Sequence, residues 1–103
     1  MNEDDVRKHA EAHGEAMVAG DIRRAGDDLT DEAKAVVGPV MSALPRPVTA
    51  AEVQSVEGGG EEYVVRIRYS GADREGEGEK EVVVQSRWAE HDGRPMIVRA
   101  EIV

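Results

Sequence analysis

The spacing of apolar residues changes once along this chain, near residue 48. Before that point they recur at three- and four-residue intervals, the period of a helix with one buried face. After it they alternate, the period of a strand. Val6, Ala10, His13 and Met17 share one face of a first helix that runs to about Ala19 and starts on Asp4 or Asp5 as its cap. Gly20-Asp21 interrupts it, and a short second helix follows from Asp21 to about Asp27 with Ile22 and Ala25 as its apolar residues. Thr30 caps a third segment in which Ala33, Val36, Val37, Val40, Met41 and Leu44 form a helical stripe predicted to face the core. Pro39 cannot donate the amide bond an unbroken helix needs, so this segment is predicted as two short pieces, ended by Pro45 and Pro47.

The second half reads as strands. Val48 to Glu57 is predicted as an edge strand, and Gly58-Gly59-Gly60 reverses the chain into Tyr63 to Tyr69. A loop rich in Gly and charge spans Ser70 to Glu79. Glu81 to Ala89 alternates again, His91-Asp92-Gly93-Arg94 makes a two-residue hairpin turn, and Pro95 to Val103 closes the meander. Helices first and antiparallel strands second give the α+β class, with one domain over residues 1–103 and the N-terminal helices packed on a four-stranded antiparallel meander.

Alternation assigns faces. Tyr63, Val65, Ile67 and Tyr69 share one side with Val82, Val84, Ser86 and Trp88, and on the last strand with Met96, Val98, Ala100 and Ile102. The predicted core is Val36, Val40, Leu44, Val65, Ile67, Val84, Trp88 and Val98. The opposite face gathers Val64, Arg66, Arg68, Val83, Gln85, Arg87, Ile97, Arg99 and Glu101. That face is read either as a solvated surface or as the interface of a homodimer, with Glu101 and nearby Glu81 or Glu90 supplying carboxylates to the arginines.

Composition removes several function classes. A net charge of −9 over 103 residues opposes binding to nucleic acid and to anionic membranes, where Lys and Arg must replace counterions. The absence of Cys excludes disulfides, thiolate nucleophiles and thiolate metal sites. No apolar run approaches the ~20 residues of a membrane span, and the acidic first residues lead to the expectation of a cytoplasmic protein.

Ala19-Gly20-Asp21 with Ala25 after it, the Leu29 to Leu44 segment, and Ser86-Arg87-Trp88 followed by His91 to Val98 resemble the nuclear transport factor 2-like superfamily. The resemblance implies a short variant of its cystatin-like cone, in which helices close over a curved sheet. It also implies an uncertain activity, because the superfamily contains ketosteroid isomerases, limonene-epoxide hydrolases and polyketide cyclases. Longer members insert a strand pair between the second and third helices, whereas Asp27-Asp28 here runs directly into Leu29-Thr30, so a shallower cone is expected.

Acid–base enzymes of this shape place an Asp, Glu or His inside the cone. The inward strand positions offer only Tyr63, Tyr69, Ser86 and Trp88, and the one titratable group predicted inward is His13 on the first helix. His9 lies four residues before His13, but Ala10 stands where a zincin would carry Glu, so no metal site is expected. The expectation is a noncatalytic domain acting by homodimerisation, protein contact or small-ligand binding, without cofactor. Any small apolar ligand would lie between the third helix and the sheet, near His13, Met41, Tyr63, Tyr69, Ser86 and Trp88. The alternative is an isomerase- or cyclase-like enzyme acting on a small apolar substrate in the cone pocket.

Overall fold

A computed structural model of the chain describes residues 1–73, 76 and 78–103, so the predicted loop over Ser70 to Glu79 lies partly outside the described residues. Four helices precede four strands: α1 Glu3–Ala19, α2 Ile22–Gly26, α3 Asp31–Val36, α4 Gly38–Ala43, β1 Val48–Gly59, β2 Glu62–Ala72, β3 Glu79–His91 and β4 Arg94–Ile102. Each helix boundary has a local cause. Asn2, rather than Asp4 or Asp5, caps α1, its Oδ1 accepting the Asp5 amide at 2.9 Å. This leaves the three acids Glu3, Asp4 and Asp5 in the first turn, where the helix dipole favours negative charge. Gly20, at φ 75°, ends α1 in the left-handed conformation that glycine adopts without steric cost. Asp21 caps α2 and Thr30 caps α3, each side-chain oxygen accepting the amide three residues on. The break expected at Gly38-Pro39 separates α3 from α4. That break corrects one core assignment. Val36 is 63% exposed because the stripe assumed a single axis, and after the break only Val40 and Leu44 stay on the buried side while Ala33 serves α3. Among the described residues no helix is long and apolar enough to cross a membrane.

The strands form one curved antiparallel sheet in the order β1-β2-β3-β4, with β1 at an edge as expected. Between β2 and β3 the register is unbroken from Glu62↔Ala89 to Ala72↔Glu79, so the faces assigned by alternation hold: Tyr63, Val65, Ile67, Tyr69, Val84, Ser86 and Trp88 are all buried. The β3–β4 turn has positive φ at both central residues, Asp92 (53°) and Gly93 (80°), as a type I′ hairpin needs.

On β4 the assigned faces fail. Arg87 pairs with Arg99 but Trp88 pairs with Ile97, leaving Val98 as the extra residue of a β-bulge. Toward the turn from this bulge the parity is inverted. Ile97, assigned to the outer face, is a core residue at 3% exposure opposite Trp88; Met96 pairs with outward Ala89; Val98 is only half-buried. Beyond the bulge Ala100 opposite Ser86 and Ile102 opposite Val84 keep their assigned side.

Helix α1 lies close against β1. A Cβ built on Gly14 would sit 3.0 Å from that of Ala51, so the missing side chain permits this approach. Across the molecule, the connection between α2 and α3 attaches to the free edge of β4. The Ile97 amide donates to the Asp28 carbonyl at 2.7 Å, and the Thr30 amide donates to the Ile97 carbonyl at 3.0 Å. Leu29 thereby forms a one-residue parallel bridge to Ile97, and the Asp28 side chain is committed to the interior.

Candidate functional site

Between α1, the short helices α2 to α4 and the inner sheet face lies an apolar cavity of about 260 Å³, walled chiefly by Met17, Leu29, Val40, Met41, Leu44, Ile67, Val84 and Ile97. Its polar groups are His13, Tyr69 and Ser86, with Lys34 at the exposed rim.

His13 reaches the cavity because helical spacing places it between Ala10 and Met17 on the buried face of α1. Its Nδ1 lies 2.9 Å from Oδ2 of Asp28, a carboxylate with no solvent exposure. An ionised carboxylate only accepts, so Nδ1 carries the hydrogen, and whenever the ring is neutral Nε2 is its accepting nitrogen. Arg24, one helical turn before Asp28, donates from Nη1 to the same oxygen at 3.1 Å, and Arg94 from the β3–β4 hairpin donates to Oδ1. Burial pushes the Asp28 carboxyl up. The His13 hydrogen bond and charge, together with the two guanidinium groups, outweigh it and hold the pKa below the ordinary carboxylate value. Asp28 is therefore a fixed anion that orients His13.

The ring of His13 meets Trp88 edge to face, with centroids 6.2 Å apart and planes at 87°. Trp88 Nε1 donates to Ser86 Oγ at 2.9 Å, and Ser86 Oγ donates onward to the Val65 carbonyl at 3.5 Å. The one hydrogen of Ser86 is thus already placed, and the hydroxyl can offer a ligand only a lone pair. Tyr69 is different. It is 3% exposed, lines the cavity, and among the described residues has no hydrogen-bond partner for its hydroxyl. Burial and then the charge of Asp28 push its pKa far above the usual phenol value, so it remains a neutral donor.

Of the six ligand-site residues expected from the sequence, His13, Met41, Tyr69 and Ser86 meet on the cavity wall. Tyr63 and Trp88 pair with each other across β2 and β3 and are buried beside the site rather than lining it. The statement that His13 is the one titratable group directed inward is corrected by Asp28. Every Asp and Glu on the strands is indeed exposed, but this carboxylate arrives from a connection. A signal for it was present in the sequence: Arg24 and Asp28 stand four residues apart, a spacing that pairs them on one helix face. His9 faces away from this cluster, its Nδ1 donating to the Asp5 carbonyl at 2.8 Å.

On the outer sheet face Arg66, Arg87, Arg99 and Glu101 are exposed and Val64, Arg68, Val83 and Gln85 half-buried, while Ile97 is excluded by the bulge. Arg66 Nε donates to Gln85 Oε1 at 3.0 Å and Gln85 Nε2 donates to Glu101 at 3.3 Å. Arg68 pairs with Glu52 at 3.3 Å and Arg87 with Glu62 at 3.5 Å.

No family model matches the chain, and no curated protein matches it. Among solved structures it is similar to that of AclR, "a putative hydroxylase from Streptomyces galilaeus", with a TM-score of 0.60 at 12% identity over 93% of this chain and 76% of that one. The likeness is one of fold: helices followed by a curved antiparallel sheet.

Proposed function

We propose that the cavity is the active site of an isomerase-like enzyme of the nuclear transport factor 2-like superfamily, which moves a proton within a small apolar carbonyl compound. The observation that carries this reading is the His13–Asp28 hydrogen bond, which leaves His13 Nε2 as the basic atom of a largely apolar cavity. In the reaction His13 Nε2 takes the proton from the carbon next to the carbonyl, and the electron pair moves to the carbonyl oxygen. The Tyr69 hydroxyl donates to the enolate oxygen as charge develops there. Where a double bond is conjugated with the enolate, the imidazolium, held by Asp28, returns the proton to the far carbon of that system, so the double bond shifts and nothing is consumed.

The test is deuterium wash-in to 2-tetralone followed by NMR. Wild type should accelerate exchange above buffer. His13→Gln should lose about 10²–10⁴ of the acceleration, the usual worth of a general base, while Tyr69→Phe should lose less and keep its fold. No acceleration by wild type, or full activity in His13→Gln, would refute the assignment.

The reading of a homodimer through the outer sheet face draws support from Arg99, which faces Arg87 across the strands and forms no ion pair among the described residues. Sedimentation at micromolar concentration should then give a dimer that Arg99→Glu weakens. A monomer throughout would leave a solvated face.

A further inference from the structure

The rim of the cavity carries charge of one sign. The chain has 22 Asp and Glu against 13 Lys and Arg, yet among the described residues those lining the cavity include no carboxylate and one ammonium, that of Lys34 on α3. Lys34 is exposed, and among the described residues no carboxylate lies within ion-pair distance of it. An unpaired cation beside an apolar cavity suits a ligand that is apolar over most of its surface and anionic at the end left at the mouth. The size agrees. A cavity of about 260 Å³ is just under the ~300 Å³ at which ligand sites usually begin, room for a ring system whose charged substituent stays in water. The field of the whole protein, at −9, repels anions, so a local cation at the entrance is the feature that would admit one.

We infer that the carbonyl substrate is a small cyclic or aromatic keto acid, taken with its apolar body and ketone toward His13 and Tyr69 and its carboxylate against Lys34. This rests on the cavity being a ligand site and goes beyond it by naming the charge of the ligand and the residue that reads it.

The test uses a matched pair, 1-naphthoate and 1-naphthamide, titrated into wild type and Lys34→Met and followed by NMR. Methionine keeps the length and helix preference of the side chain, and the position is exposed, so the variant should fold as wild type does. Wild type should bind the acid about fivefold more tightly than the amide, the upper range for a solvated ion pair. Lys34→Met should bind both equally, with amide affinity unchanged, and 0.5 M salt should reduce the wild-type preference in the same way. Equal binding of acid and amide by wild type, or a preference that survives in Lys34→Met, overturns the inference while leaving the cavity as a neutral-ligand site. Failure of both probes to bind wild type at millimolar concentration overturns the inference and the site together.

Discussion

Asp28→Ala is expected to lower the stability of the fold by about 3 kcal/mol, the low end of what removal of one partner from a buried ion cluster costs. The carboxylate is wholly buried and serves His13, Arg24 and Arg94 at once. The low end applies because the guanidinium side chains left behind are 42% and 35% exposed and recover part of their hydration. In a domain of this size that corresponds to a fall in Tm of roughly 12–24 °C. Arg24→Met should cost no more than about 1 kcal/mol, since Arg94 and His13 still hold the carboxylate. The same residue sets an acid limit. Unfolded, Asp28 titrates near the ordinary value of about 3.9; folded, it titrates lower. Between those two values the unfolded chain binds the extra proton. The stabilisation is therefore complete above about pH 4 and is lost as pH falls toward the folded pKa. This contribution should be missing from the acid limb of Asp28→Ala. Urea unfolding across pH 2–7 checks both statements, and a variant within about 0.5 kcal/mol of wild type would mean the cluster is incidental.

Val65→Asp is expected to abolish folding altogether. Val65 has no solvent exposure, faces the helices from the middle of β2 and lies opposite Ser86, and among the described residues no Lys or Arg is buried. An unpaired charge there costs several kcal/mol even after it neutralises, against a total of about 5–15. Arg66→Ala, one residue along and exposed on the opposite face of the sheet, should change the stability of the chain's own fold by no more than about 0.5 kcal/mol. Circular dichroism on the pair makes the test a direct reading of strand parity. A cooperative thermal transition in Val65→Asp would refute the assigned faces.

Period carried much of this fold, and it failed where a period is interrupted. Tyr63 to Tyr69 and Glu81 to Ala89 could be assigned residue by residue because the pairing between them never slips. On β4 the adjacent apolar residues Ile97 and Val98 cannot both be inward on a regular strand; the bulge at Val98 resolves the conflict, and nothing in the alternation says which of the two yields. Val36 was misplaced for a related reason: a stripe counted across Gly38-Pro39 assumes an axis that the chain abandons there. Asp28 was missed because a connection has no period to read. The four-residue spacing from Arg24 signals an ion pair but not its burial, which also involves Arg94, 66 residues away. His13, Met41, Tyr69 and Ser86 line one cavity because each sits on an element whose inward face is legible in the sequence.

The attachment of Asp28 to Thr30 along β4 bears on how this protein behaves in a crowded solution. An open sheet ends in two rows of unpaired amides and carbonyls, each able to template a strand from another molecule. Here both the amide and the carbonyl of Ile97 are occupied from within the chain. A long free row is left along β1, where Glu52 and Glu57 are exposed and would meet their own copies in any like-with-like stacking. The three residues that carry the carboxylate to the site thus also blunt one of the two edges from which sheet aggregation could start.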